Sequence, residues 1–395
     1  MNYSKRVAFL KPSAIRELHK LEHDPEVISF CGGYPDAKLF PTEALHEIYN
    51  KVLGEDPLAL QYTNSQGDLN LRRHVVARMK AEGVNCNEDN IILLNGAQQG
   101  LDFTAKMLID EGDTVITEAP TFLGGLIAFY PYLPKILGAA VDQDGLNPDA
   151  LEELLKRNPG TKFLYTIPDF QNPTGVTLSL ERRKRLVELA NQYDFIILED
   201  SPYRDMRYNG EAVAPIKSFD TEDRVIFLGS FSKSLVPGVR LGWAVAKPEI
   251  VQLFAQIKQA ADTQCSTINM KVVSAYFDSF DHSQQVARLQ KAYGHKKQVM
   301  IDAIRANFPD NIEYTDPDGG MFTWIKFPDK FDSEHFLRHE LLPKAKVAYV
   351  PGFHFYPTEG VRPMNYARLS FSAASDEAIG DAITRMGALL HKYHI

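Results

Sequence analysis

Cysteine is scarce in this sequence and long apolar runs are missing, and both absences narrow the classes of protein that it can represent. The three cysteines, Cys31, Cys86 and Cys265, lie far apart and form no CxxC pair, which argues against a zinc site and a disulfide framework. No segment approaches the ~20 apolar residues of a membrane span. The apolar run "VAFL" near the N-terminus is too short for a signal peptide. We therefore expect a cytoplasmic protein without a membrane segment and without a metal site.

The sequence also has no excess of positive charge, since its net charge is −8 over 395 residues. This balance gives no electrostatic reason to expect nucleic acid or an anionic membrane as a partner. Its 44% hydrophobic and 24% charged residues are typical of a soluble globular protein with a substantial core. The length allows two or three domains, or one large domain with a smaller partner.

A nucleotide-binding P-loop is absent at the place where its lysine could lie. The stretch "GSFSKSLVPGVRLGW" begins at Gly229 and follows an apolar run that is typical of a buried strand. A P-loop needs a glycine immediately before its lysine and another glycine five residues before that one, but these two places hold Ser232 and Phe227. Nucleoside triphosphate hydrolysis is therefore disfavoured, and the GxSxG and HExxH motifs are also missing. Lys233 remains a candidate phosphate ligand, a nucleophilic amine or a solvated loop lysine.

Apolar runs of strand length alternate with helical patterns between about residues 90 and 250. The strands include "NIILL", "DTVITEA", "KFLYTIP", "FIILED" and "RVIFLGS". Short strands rich in Val, Ile and Leu, separated by helices, predict a three-layer α/β/α domain with a mostly parallel sheet. The last third of the chain predicts a smaller α+β domain. We place the large domain at residues 41–280 and the small domain at 281–395, with residues 1–40 joining the small domain.

Each predicted strand of the sheet ends in polar residues of a different kind. In an open parallel sheet, the ligand crevice lies at the carboxyl ends of the strands. Each of these residues alone has an ordinary explanation as a turn, a cap or a core position. Their order at consecutive strand ends nevertheless favours one shared pocket. In chain order, the candidates are Ala97, Gln98, Phe122, Asn172, Asp200, Tyr203, Ser230, Ser232 and Lys233.

The motifs "SFSKSLVPGVRLGW", "QNPTG", "EDSPY" and "ARLSF", in their relation to one another, resemble those of the fold-type I, pyridoxal-phosphate-dependent aminotransferases of class I/II. The resemblance covers nearly the whole chain. Its most specific part is that Lys233 falls 33 residues after Asp200 and that Arg240 follows. The stretches "SAIRELHKL", "ISFCGGYPDAKLFP" and "GAQQGLD" look most like the 2-aminoadipate and kynurenine aminotransferase branch. The resemblance implies pyridoxal 5′-phosphate as the cofactor.

The resemblance also implies a role for each residue around the cofactor ring. Lys233 would bind the cofactor aldehyde covalently and later move the substrate Cα proton, which requires a lowered pKa of its amine. Asp200 would pair with the pyridine nitrogen and keep it protonated, so that the ring accepts electrons. Asn172 and Tyr203 would hydrogen-bond the phenolic oxygen, and Asn172 would also contact the substrate. Phe122 would stack on the ring, at a position where many relatives carry tyrosine.

The cofactor phosphate would be held at the start of a helix and by the lysine loop. The resemblance assigns this role to Ser230, Ser232 and Arg240, together with Ala97 and Gln98. A helix N-terminus favours an anion, and the planar fork of arginine binds phosphate oxygens in pairs.

Substrate recognition is implied at four further positions. Arg368 would grip the α-carboxylate through two parallel N–H···O bonds, and Gly33 would let the backbone approach the substrate closely. Arg16 would swing towards a distal carboxylate, with a solvated helix arginine as an alternative of equal weight. Tyr34 stands where many relatives carry leucine, and it would narrow the side-chain pocket or add a hydroxyl contact.

Tyr62 matches a tyrosine that reaches the phosphate of the neighbouring subunit, so the resemblance implies a homodimer with shared active sites. The implied activity is a ping-pong transfer of an amine from an amino acid to a 2-oxo acid, with 2-oxoglutarate as the expected acceptor. We expect aromatic and medium-to-long apolar donors to react at least as readily as 2-aminoadipate.

Two other functions share much of this pattern. A pyridoxal-phosphate β-lyase on the same scaffold would keep nearly all of these residues. A transcription regulator with an aminotransferase-like sensor domain would carry a helix-turn-helix region ahead of it. Since "ISFCGGYPD" already begins at residue 28, we expect no such region.

Overall fold

The computed structural model describes residues 2–10, 18 and 24–393 of the chain. Its strands are β1 (Ile28–Ser29), β2 (Ile91–Leu94), β3 (Thr114–Ala119), β4 (Lys135–Asp142), β5 (Gly145–Leu146), β6 (Phe163–Thr166), β7 (Ile196–Asp200), β8 (Val225–Ser230), β9 (Gly242–Val245), β10 (Glu313–Tyr314), β11 (Phe322–Lys326), β12 (Val347–Ala348), β13 (Val350–Pro351) and β14 (Tyr366–Ser370). Its α-helices are α1 (Thr42–Glu55), α2 (Leu69–Ala81), α3 (Ala97–Leu108), α4 (Leu123–Phe129), α5 (Pro148–Arg157), α6 (Leu180–Tyr193), α7 (Pro248–Ala261), α8 (Thr267–Ser279), α9 (His282–Asn307), α10 (Ser333–Phe336), α11 (Leu342–Ala345) and α12 (Asp376–Lys392).

Eight strands form the larger sheet, in the order β2–β9–β8–β7–β6–β3–β4–β5. The strands from β8 to β4 pair in parallel, whereas β9 is antiparallel to both of its neighbours and β5 is antiparallel to β4. Every position of β6 and β8 is buried, as is typical of strands that are covered on both faces. The prediction of an α/β fold with a mostly parallel sheet is confirmed.

Alternating side chains of β8 show how helices cover both faces of this sheet. Ile226 and Leu228 pack into a core that includes α3 and α7. Phe227 packs into a second core with α2 and α8, and Val225 into a third with α5 and α6. Successive strand residues point to opposite faces, so an uninterrupted apolar run is what a strand between two helical layers requires.

A smaller antiparallel sheet has the order β10–β11–β14–β13. Its core includes residues of α9 and α12, together with Phe30 and Cys31 from the N-terminal segment. β1 pairs in parallel with β12, which fastens that segment beside the smaller sheet. The domain boundaries at residues 40 and 280 stay a prediction. Within the described ranges, the helices lack the combination of length and apolar character that a bilayer crossing requires.

Candidate active site

A pocket of about 370 Å³ lies where the parallel strands of the larger sheet end. The structure brings nearly all of the predicted site residues to its wall, although they come from distant parts of the sequence. Those that line the pocket are Gly33, Tyr34, Ala97, Gln98, Phe122, Asn172, Asp200, Tyr203, Ser230, Ser232, Lys233, Arg240 and Arg368.

One predicted residue is not part of this wall, and another cannot be placed relative to it. Tyr62 is 82% exposed and does not line the pocket that the described residues of one chain form. Arg16 lies outside the described residues, and its role stays a prediction.

Lys233 follows β8 and turns its amine into the pocket. Its Nζ donates a hydrogen bond to the carbonyl oxygen of Gly33 at 2.6 Å. Burial, followed by the positive charges of Arg368 and Arg240, lowers the pKa of the Lys233 amine to about 8. Desolvation and nearby positive charge both disfavour the ammonium form. The amine is therefore available as a nucleophile and a base near neutral pH.

Asp200 closes β7, and its carboxylate is buried at the bottom of the pocket. Tyr165 of β6 donates a hydrogen bond from its hydroxyl to Oδ2 at 3.0 Å. The other oxygen, Oδ1, is buried and has no hydrogen-bond partner among the described residues. Burial raises the pKa of the Asp200 carboxyl to about 7. A donor that approached Oδ1 would satisfy the orphaned acceptor and favour the ionised form.

Asn172 connects the two sides of the pocket. Its Nδ2 lies 3.4 Å from the hydroxyl of Tyr203, and its Oδ1 accepts a hydrogen bond from Arg368 Nη1 at 2.9 Å. Arg368 Nη2 donates to the carbonyl oxygen of Cys31, whereas its Nε is buried without a partner in the described part of the chain. Burial lowers the pKa of the Arg368 guanidinium to about 10, so the group remains a cation at neutral pH. A carboxylate entering the pocket would meet a buried cation with an unused donor.

Arg368 lies against aromatic rings as well. Its guanidinium carbon is 4.3 Å from the centroid of Phe322 and 4.9 Å from that of Phe355. Contact of this kind stabilises a guanidinium that has lost its water. The ring of Phe322 also leaves no room for a side chain at Gly33, where an added Cβ would lie 2.5 Å from the ring. This crowding explains why glycine, and no larger residue, lets the backbone approach Lys233.

The start of α3 and the loop after β8 form a cradle with the character of an anion site. We define the phosphate cradle as Gly96, Ala97, Gln98, Ser230, Ser232 and Arg240. The first N–H groups of a helix have no carbonyl partner inside that helix and attract an anion. Gly96 has φ of +79°, and an added Cβ there would lie 2.7 Å from Arg240 Nη2. Only glycine thus combines this backbone conformation with the arginine in its observed place.

Three further residues contribute to this site without a distinctive sequence signal. Tyr165 and Phe322 are strand residues that the sequence does not distinguish from ordinary core aromatics. Glu118 is the one acidic residue of β3. Its side chain fixes the residues at the end of β6 and just after it. Its carboxylate accepts hydrogen bonds from Thr166 Oγ1 at 2.6 Å and from Gln171 Nε2 at 2.9 Å, and burial raises the pKa of the Glu118 carboxyl to about 7.

These residues fit the pyridoxal phosphate that the sequence resemblance implies. The orphaned Oδ1 of Asp200 suits a protonated ring nitrogen, and the cradle suits a phosphate. Phe122 and Ile167 line the same pocket and offer apolar surfaces to a flat ring. The amine of Lys233 suits an aldehyde because its pKa is lowered.

Comparison with known proteins identifies similar chains over nearly the full length. The sequence model of the family described as "Aminotransferase class I and II" matches residues 25–386. The chain is 39% identical to aromatic-amino-acid aminotransferase 1 of Thermococcus litoralis, over 97% of this chain and 93% of that protein. It is 37% identical to 2-aminoadipate transaminase of Thermus thermophilus, over 98% of this chain and 96% of that protein. The solved structure of Pyrococcus horikoshii kynurenine aminotransferase superposes with a TM-score of 0.94 at 36% identity, covering 99% of this chain and 97% of that one.

Proposed function

This chain belongs to the class I and II aminotransferases and is a pyridoxal-phosphate-dependent transaminase of amino acids, and we propose that it works as a cytoplasmic homodimer that accepts aromatic and medium-to-long apolar donors at least as readily as 2-aminoadipate. The observation that carries the site assignment is that Lys233, Asp200 and Arg368 face one pocket. The role of each residue in the reaction is part of this proposal.

In this proposal, Asp200 controls the protonation of the cofactor ring and Lys233 moves the substrate proton. When bound, pyridoxal phosphate supplies an aldehyde that reacts with amines and a pyridinium ring that accepts the electrons of a broken Cα–H bond. Asp200 Oδ1, which is buried without a partner among the described residues, would accept a hydrogen bond from the ring nitrogen and keep that nitrogen protonated. The free amine of Lys233 would hold the cofactor through its aldehyde, and once a substrate amine has replaced it there, Nζ would take the proton from the substrate Cα. The lowered pKa of the Lys233 amine makes both steps possible near neutral pH.

Arg368 and Asn172 orient the amino acid in this proposal. The α-carboxylate pairs with the buried guanidinium, whose Nε has no other partner among the described atoms. Charge-assisted bonds of this geometry are strong and directional. Asn172 holds Arg368 from the side, so the substrate Cα is presented to Lys233 in a fixed orientation. Such orientation is a large part of what an enzyme contributes to a reaction between two groups.

Covalent attachment of the cofactor to Lys233 is the direct test of the assignment. Borohydride reduction of the holoenzyme followed by peptide mapping should place the reduced pyridoxyl group on Lys233. Lys233→Ala should lose this label and nearly all turnover while the chain still folds. A label on another lysine, or undiminished turnover of Lys233→Ala, would reject the assignment.

The donor preference is proposed from the relatives and from the pocket wall. The similar proteins named above act on aromatic amino acids, on 2-aminoadipate and on kynurenine, by their names. In this chain Tyr34, Leu101, Phe122 and Phe322 give the pocket an apolar and aromatic lining, which favours apolar side chains. A screen of amino donors against 2-oxoglutarate should rank phenylalanine, tyrosine and leucine at least level with 2-aminoadipate. Activity confined to acidic donors would contradict the proposal.

The homodimer is proposed because a short exposed segment carries apolar side chains and the tyrosine that the resemblance assigns to the partner's phosphate. Leu58, Leu60 and Tyr62 are 68%, 73% and 82% exposed, and such patches mark interaction surfaces. Sedimentation should show a dimer. Mixing inactive Lys233→Ala with Tyr62→Ala subunits should create one wild-type site per mixed dimer and raise activity above that of Tyr62→Ala alone. Activities that merely average would rule out a shared site.

A cytoplasmic location is proposed from the three cysteines. All three lie within the described residues, are buried and form no disulfide, which suits a reducing compartment. Activity found only in a secreted or membrane fraction would contradict this location.

A further inference from the structure

A fully buried lysine lies behind the phosphate cradle and has no place in the chemistry described above. Lys258 belongs to α7, and its side chain is completely shielded from solvent. Its Nζ donates a hydrogen bond to Gln99 Oε1 at 2.7 Å and forms an ion pair with Asp262 at 3.0 Å. A buried ammonium costs stability unless it is paired and hydrogen-bonded, so the retention of this charge needs a reason.

Asp262 uses its carboxylate to join the two residues that flank the helical part of the cradle. Its Oδ2 accepts hydrogen bonds from Asn95 Nδ2 at 2.5 Å and from Gln99 Nε2 at 2.6 Å. These residues stand immediately before Gly96 and immediately after Gln98. Gln99 Oε1 also accepts the backbone N–H of Asn95 at 2.9 Å. The segment between Asn95 and Gln99 is thus closed into a small ring of polar contacts.

The same contacts extend to the arginine of the cradle. Arg240 Nη2 donates to the carbonyl oxygen of Asn95 at 3.4 Å. The position of Asn95 therefore influences both the helix start and the guanidinium that face the phosphate. Lys258 and Asp262 are the two charged residues that hold Asn95 and Gln99 in these positions.

A second buried lysine of the same chain shows that pairing alone does not explain this arrangement. Lys217 is 8% exposed in its side chain and pairs with Asp220 at 2.7 Å. Its Nζ also donates to the carbonyl oxygen of Val225 at 2.8 Å. Val225 begins β8, whereas the cradle residue Ser230 ends it. The two lysines are thus similar in burial and pairing, but only Lys258 contacts residues that flank the cradle.

Lys258 also balances the negative charge of Asp262. Asp262 alone would place a carboxylate in contact with the two residues that flank the cradle, from where it would repel a phosphate dianion. The Lys258 ammonium, whose Nζ lies 3.0 Å from Asp262 Oδ1, neutralises this negative charge. We propose that Lys258 and Asp262 are a positioning pair that fixes the phosphate cradle and neutralises its surroundings, so that the cofactor phosphate binds tightly. This inference rests on the proposed cofactor site.

The test compares cofactor with and without its phosphate. In full-length protein freed of cofactor, the affinities for pyridoxal phosphate and for pyridoxal are measured by absorbance titration. Lys258→Met should weaken pyridoxal phosphate by about 10- to 100-fold, the effect typical of losing a hydrogen bond to a charged group. Pyridoxal should bind as before, because the residues around its ring do not contact Lys258. The ratio of the two affinities reports the phosphate contribution and would not move if the variant were only less stable.

Lys217→Met is the matched control, since it removes an equally buried and paired lysine. It should lower stability without changing the affinity ratio. If Lys258→Met weakens pyridoxal and pyridoxal phosphate equally, or changes neither, the proposal is overturned. Should Lys258→Met not fold, Lys258→Gln serves instead, because it removes the charge but keeps a polar group at the buried position, and it should weaken pyridoxal phosphate at least about threefold with pyridoxal unchanged. If the wild-type chain does not prefer pyridoxal phosphate over pyridoxal, the cofactor site itself is wrong, an outcome distinct from failure of the pair.

Discussion

Arg368 donates a hydrogen bond to Asn172 at 2.9 Å, so the residue assigned to the substrate carboxylate is held in place by a residue assigned to the cofactor. Asn172 also lies 3.4 Å from the hydroxyl of Tyr203. One amide therefore fixes two partners that come from β14 and from the loop after β7. The arrangement predicts that substrate binding and cofactor environment change together when this amide is removed.

Asn172→Ala should affect both functions at once. Loss of the hydrogen bond to the buried Arg368 guanidinium should raise KM for amino donors by about tenfold. The absorbance maximum of the cofactor should also shift, because its phenolic oxygen loses the hydrogen bond expected from Asn172. Asn365→Ala is the control, since Asn365 is also buried and donates to the carbonyl oxygen of Phe327 at 2.8 Å. A rise in KM without a spectral shift would show that Asn172 serves the substrate alone.

Gly96→Ala should damage phosphate binding in particular. An added Cβ would lie 2.7 Å from Arg240 Nη2, so the guanidinium must move. Gly160→Ala is a matched control because Gly160 has φ of +82° and nothing within 4 Å of an added Cβ. Both variants should lose about 1–3 kcal/mol of stability, because both glycines have a positive φ that a residue with a Cβ rarely adopts. Only Gly96→Ala should also weaken pyridoxal phosphate, and equal affinities in the two variants would refute the crowding argument.

The fold and most of the candidate site could be predicted because their signals are local. Apolar runs such as "RVIFLGS" mark β8, and the ends of such runs mark the pocket. β4 was not predicted, since the run "KILGAAVD" mixes small, charged and half-exposed positions at the side of the sheet. Tyr165 could not be assigned either, because its bond to Asp200 joins neighbouring strands and leaves no mark in either sequence segment.

The ion pair of Lys258 and Asp262 could not be predicted from the sequence either. Lys258 and Asp262 stand four residues apart at the end of a helix, a spacing that is common on solvated helix surfaces. Burial of that lysine is a property of the assembled fold. Contacts between residues 95, 99, 258 and 262 depend on how α7 packs beside α3, which the periodicity of each helix does not specify.

The amine of Lys233 should make the stability of the cofactor-free chain depend on pH above neutrality. Its pKa is lowered to about 8 in the folded chain, against about 10.4 for an unfolded lysine. Between these values the unfolded chain binds more protons, so the free energy of unfolding should rise with pH over this window. Lys233→Met should flatten that rise and gain stability mainly below pH 8. The measurement is denaturant unfolding of both proteins at several pH values, and identical slopes would contradict the lowered pKa.

Asp200→Asn should abolish most of the chemistry while leaving the fold and the cofactor in place. An amide of the same shape can still accept a hydrogen bond, but it carries no charge to keep the ring nitrogen protonated, so single-turnover amine transfer should fall by about 100-fold or more. The preceding residue provides the control. Glu199 is also buried, and burial raises the pKa of its carboxyl to about 7.

Glu199 points away from the pocket, because successive strand residues face opposite sides, and it accepts the backbone N–H groups of Ile216 and Lys217 at 2.8 Å. Glu199→Gln should therefore lower stability and leave the single-turnover rate of the folded enzyme nearly unchanged. Comparable rate losses in Asp200→Asn and Glu199→Gln would mean that general damage to β7, and not the charge facing the ring, explains the loss.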